Sequence, residues 1–229
     1  MQNIKKGLFI VFEGIDGSGQ DTQQIRVANQ LKRLDKYNEI FLAREPTRNA
    51  KDIINRLEKN TDPYEGGIQM AGGYTQDRVG HGMNLIYPIL MAGGHVLGVR
   101  YKTSTEAFQW AQGIPIEELL EMQKRGMILR PDLIILLDME HIEIAKQRLI
   151  KRKKPFEKFE RDPEFIIKVR DNYRTLATKI YPENPERFGR IEVINGEMTK
   201  ARVTKEIMKY VDPLYNQWAS VESWPIKNS

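Results

Sequence analysis

Apolar residues along this chain gather into five short, nearly continuous runs, separated by longer stretches in which they recur every three or four positions. The runs are Leu8 to Glu13, Glu39 to Ala43, His95 to Val99, Leu133 to Leu137 and Ile191 to Ile194. Unbroken apolar character over so few residues predicts strands covered on both faces. Helical spacing runs from Gln20 to Lys36, Ala50 to Lys59, Gly67 to Met91, Thr105 to Arg125 with an interruption at Pro115, Ile142 to Arg152 and Pro163 to Ile180. A last helix is expected from Lys200 to Tyr210. Strands alternating with helices predict an α/β fold: a five-stranded parallel sheet with helices on both faces and its ligand site at the carboxyl ends of the strands. No linker, repeat or low-complexity tract divides the sequence. A single domain is therefore expected over residues 1–212, with 213–229 as a C-terminal tail.

Composition narrows the function classes. The 229 residues include no cysteine, and His81, His95 and His141 are scattered, so neither a disulfide framework nor a thiolate or histidine metal site is indicated. The net charge of +5, from 36 basic and 31 acidic residues, is mild. Its densest contribution is Arg148, Lys151, Arg152, Lys153 and Lys154, followed by Lys158 and Arg161. That is one short segment between two helices, not a stripe interleaved with aromatics, and it argues against a nucleic-acid partner. No window reaches the roughly 18 apolar residues of a membrane span. The run Leu8 to Phe12 is too short for a signal peptide and meets Glu13 at once, so no membrane partner and a cytoplasmic location are expected.

The first strand leads into chemistry. Phe9 to Gln24 reads FIVFEGIDGSGQDTQQ, a buried strand entering a glycine-rich turn and then a helix. Gly14 and Gly19 hold the glycine positions of the phosphate-binding spacing G-x-x-x-x-G-K-[ST], while Gln20 stands for the lysine and Asp21 for the hydroxyl residue, with Thr22 beside it. Gly14, Gly17 and Gly19 let an anion approach the main chain, and the N–H groups opening the next helix supply donors and partial positive charge. The segment Gly14, Asp16, Gly17, Ser18, Gly19, Gln20, Asp21 and Thr22 is thus the expected nucleotide-phosphate site. The frame is kept and two of its side chains are changed.

Further motifs follow the other strands: Arg44-Glu45-Pro46-Thr47, then Tyr74-Thr75-Gln76-Asp77-Arg78, then Arg100-Tyr101 with Ser104, Thr105, Ala107, Phe108 and Gln109. Pro131 to Asp138 reads PDLIILLD, and the basic segment ends in Glu157 to Glu160, EKFE. In this order, over about 200 residues, the chain resembles the thymidylate kinase family. The resemblance implies a P-loop nucleoside monophosphate kinase of three layers with a short lid over about residues 148–161, usually a homodimer, transferring the γ-phosphoryl group of ATP to dTMP with Mg²⁺. Carried over by position, Arg44 and Arg100 hold the dTMP phosphate, for which a forked guanidinium suits. Tyr74 stacks on thymine, Arg78 hydrogen-bonds its ring, Ser104 and Thr105 lie near the base, and Phe108 stands where a tyrosine commonly crowds the deoxyribose. The same resemblance gives catalytic roles to Asp16, Arg100, Arg152 and Lys153, the last two as lid cations at the transferring group. It names no protein ligand for the metal. The apolar segment from Gly67 to Met91, with Met70, Met83, Leu85, Ile86, Ile89 and Leu90, is expected to serve as core and dimer interface.

Two departures bear on turnover. The loop cation is replaced by Gln20, and the Asp-Arg-Tyr run typical after the third strand reads Val99-Arg100-Tyr101 here. Losing one preorganised electrostatic group costs about 10²–10³ in rate. Two readings therefore stand: a kinase with weakened or rearranged chemistry, and a nucleotide-binding pseudokinase.

Overall fold

The computed structural model describes residues 5–59, 61–126, 128–153 and 155–220. Its centre is a five-stranded parallel sheet in the order β2-β3-β1-β4-β5, formed by β1 (Phe9–Glu13), β2 (Ile40–Arg44), β3 (His95–Val99), β4 (Leu133–Asp138) and β5 (Arg190–Asn195). Side chains alternate across β1. Ile10 and Phe12 pack with Leu97, Val99, Ile135 and Leu137 toward α1 (Gln20–Leu34), whose Val27 and Leu31 close that face. Phe9 and Val11 point the other way, with Val96 and Tyr101. Each such side chain, fully buried, contributes about 1.5–3 kcal/mol.

The remaining helices cover both faces. α2 (Lys51–Lys59) and α3 (Gly67–His81) precede a π-helical stretch, Gly82–Ile86, that passes into α4 (Tyr87–Met91). The predicted segment from Gly67 to Met91 is thus helical throughout. It is two-sided: Met70, Ile86 and Leu90 are buried, while Met83, Leu85, Tyr87 and Met91 are exposed. α5 (Lys102–Ala111) starts three residues before the expected Thr105, which puts Ser104 and Thr105 in its first turn, and α6 (Ile116–Arg125) follows the break at Pro115. α7 (Ile142–Lys151) leads to the lid segment, and α8 (Pro163–Thr175) packs against α5. Phe165, Val169 and Tyr173 of α8 join Ala107 and Phe108 in the larger core. Two short helices, α9 (Tyr181–Glu183) and α10 (Pro185–Phe188), come before β5.

Two expectations need correction. β2 and β5 are edge strands, and Phe41, Leu42 and Val193 are exposed, so only the three central strands are covered on both faces. The final helix, α11 (Lys200–Ser220), runs past Tyr210 with Pro213 inside it, because Val211 and Tyr215 continue its apolar stripe into the core. Residues 213–220 are therefore part of the folded unit and not a tail; 221–229 lie outside the described residues.

Candidate active site

The carboxyl ends of β1, β2 and β3 open into one cleft of about 880 Å³. On one side, β1 turns through the glycine loop into α1. A side chain at Gly14 would meet Leu137 O and Ser18 Oγ at 2.7 Å, and Gly17 and Gly19 hold φ of 83° and 108°, where side chains strain the backbone. The loop is braced from behind. Arg148 of α7 donates from Nη1 to the carbonyls of Gly17 (3.2 Å), Ser18 (3.3 Å) and Gly196 (3.0 Å). The expected lid residue Arg148 is thus a clamp on the loop.

Gln20 does not reach into the cleft as a replacement cation would. Its Nε2 donates to Gly14 O at 2.7 Å, and the side chain is buried, closing the loop on itself. The buried Ser18 Oγ, by contrast, has no hydrogen-bond partner among the described residues. A buried hydroxyl without a partner costs free energy unless a ligand or water supplies one. With the free N–H groups of the first turn of α1, it fits a polyphosphate such as that of ATP. Asp16, Asp21 and Thr22 line the same cleft and offer the oxygen donors that Mg²⁺ takes. No group of three or more carboxylate or histidine side chains able to hold a metal occurs among the described residues. Phosphate and water oxygens would complete the shell, the ordinary arrangement for this ion.

The opposite side is built differently. Glu13, the last residue of β1, is fully buried and accepts from Tyr101 N (2.8 Å), Ser104 N (3.3 Å), Ser104 Oγ (2.5 Å) and Tyr173 Oη (3.1 Å). Burial raises its pKa against the opposing pull of Ser104, Arg100, Tyr101 and Tyr173. This carboxylate fixes the turn after β3, where Arg100 takes the unusual φ of 61°. Arg100 then donates from Nη2 to Asp16 at 2.6 Å and from Nη1 to Ser104 Oγ at 3.2 Å, with its guanidinium 5.0 Å from the Phe108 ring centre. Burial works against the Arg100 charge, but Asp16, Tyr173 and Glu13 outweigh it, and its pKa is held above the usual value.

Arg78 is buried and nearly saturated. It donates to Glu45 (2.7 Å), Gln123 (3.0 Å), Tyr101 O (3.1 Å) and Thr105 Oγ1 (3.0 Å). The hydroxyls of Ser104 and Thr105, expected near a base, are thus engaged in holding Arg100 and Arg78. Tyr74 and Phe108 present rings to the cleft, and Arg44 pairs with Asp21 through Nη2, at 2.8 and 2.7 Å from its two carboxylate oxygens.

Most of the expected residues converge on this cleft: Asp16 to Thr22, Arg44, Tyr74, Arg78, Arg100, Ser104, Thr105, Phe108 and Arg152 all line it. Arg152 is held by Glu160 at 3.0 and 2.8 Å. Gly14 and Lys153 are not in the lining. Gly14 takes part through its carbonyl, whereas Lys153 is exposed, in a turn with φ of 56°, and Lys154 lies outside the described residues. Lys151 occupies the rim instead. Glu13 and Tyr173 belong to none of the sequence motifs, and Gln109 stands in the motif after the third strand without a role assigned to it. For Glu13 a signal existed, an acidic residue ending an otherwise apolar strand, FIVFE. Gln109 is fully buried at the cleft wall, with its Oε1 unpartnered among the described residues. Tyr173 lies 69 positions from Ser104, and no local pattern links them.

Comparison with known proteins agrees with this layout. The family model described as thymidylate kinase matches residues 12–185. Probable thymidylate kinases of Thermococcus onnurineus and Pyrobaculum calidifontis are 33% and 37% identical over 216 and 213 residues. Those alignments cover 90% of this chain in both cases, and 97% and 96% of the relatives. A thymidylate kinase of Wolbachia pipientis is 34% identical over 176 residues, 75% of this chain and 82% of that protein.

Proposed function

The chain belongs to the thymidylate kinase family, and from that premise we propose that it transfers the γ-phosphoryl group of ATP to dTMP, giving ADP and dTDP, with catalysis weakened at the donor loop. The observation that carries the reading is the single cleft in which the glycine loop faces Arg44 and Arg100. Phosphoryl transfer depends on placing two phosphates in line and offsetting their charge, not on covalent chemistry in the protein. The loop N–H groups and Ser18 Oγ hold the donor phosphates. Arg100 and Arg44 hold the acceptor phosphate, with Arg100 set by Glu13 and Ser104. Tyr74 stacks on the base, Arg78 and Gln109 supply polar contacts at its edge, and Phe108 bounds the sugar. Mg²⁺, when bound, offsets charge on the donor phosphates, and Asp16 with Asp21 would hold it. Arg152, drawn from Glu160, and Lys151 cover the transferring group.

Weakened transfer rests on Gln20, which spends its amide on Gly14 O, and on Val99, which is buried among apolar side chains. The same two residues favour the second reading, a pseudokinase that binds both nucleotides without turnover. We place the protein in the cytoplasm as an expectation from its family; no helix among the described residues is long and apolar enough to cross a membrane. A homodimer fits the exposed Met83, Leu85, Tyr87 and Met91. The test is ADP release from Mg·ATP with dTMP, dUMP or dCMP as acceptor. ADP release that rises only with dTMP is expected. Binding of dTMP without release would select the pseudokinase, and release with dCMP in preference would move the acceptor assignment.

A further inference from the structure

The glycine loop carries two carboxylates, Asp16 and Asp21, and no side-chain cation, because Gln20 stands at the lysine position. Polyphosphate is itself strongly anionic, so two loop carboxylates oppose its binding unless something offsets them. Here the offset comes from across the cleft. Asp16 is paired with Arg100 at 2.6 Å and Asp21 with Arg44 at 2.7 Å, the same arginines assigned above to the acceptor phosphate. Each of these arginines is thus drawn on by a loop carboxylate and by the acceptor phosphate assigned to it, Arg44 through Nη2 alone in this structure. Each carboxylate likewise pairs with an arginine or turns to a divalent cation.

We propose that Asp21 couples the two substrate sites. The acceptor phosphate takes Arg44 from Asp21, and the freed Asp21 carboxylate becomes a ligand for the divalent cation that accompanies the donor nucleotide. The proposal rests on the functional reading above. Its sign follows from linkage. Whichever ligand binds first must break the Asp21–Arg44 pair; the second finds it broken and binds more tightly, and the effect is the same in either order. Its size is bounded by the pair. Arg44 and Asp21 are 51% and 61% exposed, and an exposed ion pair is worth at most about five-fold in an equilibrium constant. Without a divalent cation the coupling through Asp21 loses its favourable sign, since the carboxylate that the acceptor frees then only repels the donor phosphates.

The experiment is calorimetric, so it reads binding and not turnover. The full-length protein is titrated with the β,γ-methylene analogue of ATP, with and without saturating dTMP, once in Mg²⁺ and once in EDTA. Asp21→Ser and Asp21→Asn are treated identically; the residue is exposed, and the second variant keeps a hydrogen-bonding group toward Arg44. In Mg²⁺, dTMP is expected to tighten the analogue in the wild type by about two- to five-fold more than in either variant. In EDTA that gain is lost or reversed. Coupling from the Asp16–Arg100 pair persists in all three proteins. Equal coupling in wild type and both variants overturns the proposal while leaving the functional reading in place. Failure of dTMP to bind at all overturns both.

Discussion

The cleft holds two arginine–carboxylate pairs of the same chemistry in opposite surroundings, one inside the acceptor wall and one that spans from that wall to the donor loop. On the acceptor wall, Arg78 and Glu45 are 1% and 4% exposed, and both arms of the guanidinium are occupied. At the donor loop, Arg44 and Asp21 are more than half exposed, and no other hydrogen bond anchors the Arg44 guanidinium among the described residues. Water screens the second pair and is excluded from the first, so their attraction and their penalty for being broken differ severalfold. The acceptor wall is thus a rigid part whose geometry is set before substrate arrives, and the donor loop a rearrangeable one. The Glu13 network extends the rigid part to Arg100.

The sharpest break of that comparison removes the arginine from each pair in turn. Arg78→Ala leaves the buried Glu45 carboxylate with only His81 Nδ1 at 3.3 Å, and a stability loss of about 3–5 kcal/mol is expected in chemical denaturation. Arg44→Ala strands nothing, and its loss should stay within about 1 kcal/mol. Equal losses would show that the difference in burial has no energetic meaning. Such a result would also remove the basis for treating the acceptor wall as preorganised.

Next in size is a change of rate at the donor loop. Gln20→Lys exchanges a side chain folded onto Gly14 O for one that carries charge to the γ-phosphate. Turnover is expected to rise by about 10²–10³, the usual worth of one preorganised group. Nucleotide KM should move less, because the loop main chain already holds the phosphates. Val99→Asp is not a natural companion change. Val99 is fully buried beside Phe12 and Leu97, and a carboxylate there meets apolar surroundings. A lysine variant that folds and binds both nucleotides with unchanged turnover would place the deficit outside the loop.

These contrasts also explain what the chain disclosed before its structure was known. The alternation of apolar runs with helical spacing was enough for the five strands and their parallel direction, though not for their order in the sheet, since central strands buried on both faces must be apolar. Loop and arginine motifs were legible because phosphate chemistry demands particular residue types at short spacing. The partners of those residues were not. Whether Arg44 meets a phosphate or Asp21, and whether Gln20 turns outward or onto Gly14, depends on distances across strands far apart in sequence. The edge strands misled for a related reason: Phe41 and Leu42 are apolar at positions that are exposed in this chain. α11 outlasted its predicted end because Tyr215 finds the core, and Pro213 alone does not report that.

The smallest expected effect tests the Glu13 network itself. Burial raises the pKa of this carboxyl, so the folded protein holds its proton more tightly than the unfolded chain, whose carboxylate titrates near 4.3. The stability that this preference contributes is present in full below that value and is lost as pH rises through the raised folded pKa. Glutamine is the isostere of the protonated acid. Its Oε1 can accept from Tyr101 N and Ser104 N, and its amide can donate to the Ser104 and Tyr173 hydroxyls, which rotate to accept. Glu13→Gln should therefore keep the turn after β3 and cost no more than about 1 kcal/mol at low pH. Denaturation midpoints measured from pH 4 upward should fall more steeply for the wild type than for the variant, so that the two converge or cross as pH rises. Parallel curves would mean that Glu13 is no harder to ionise in the folded protein than in the unfolded chain. The four hydrogen bonds and Arg100 would then outweigh burial, and the network would act as a charged support for Arg100 in place of a neutral one.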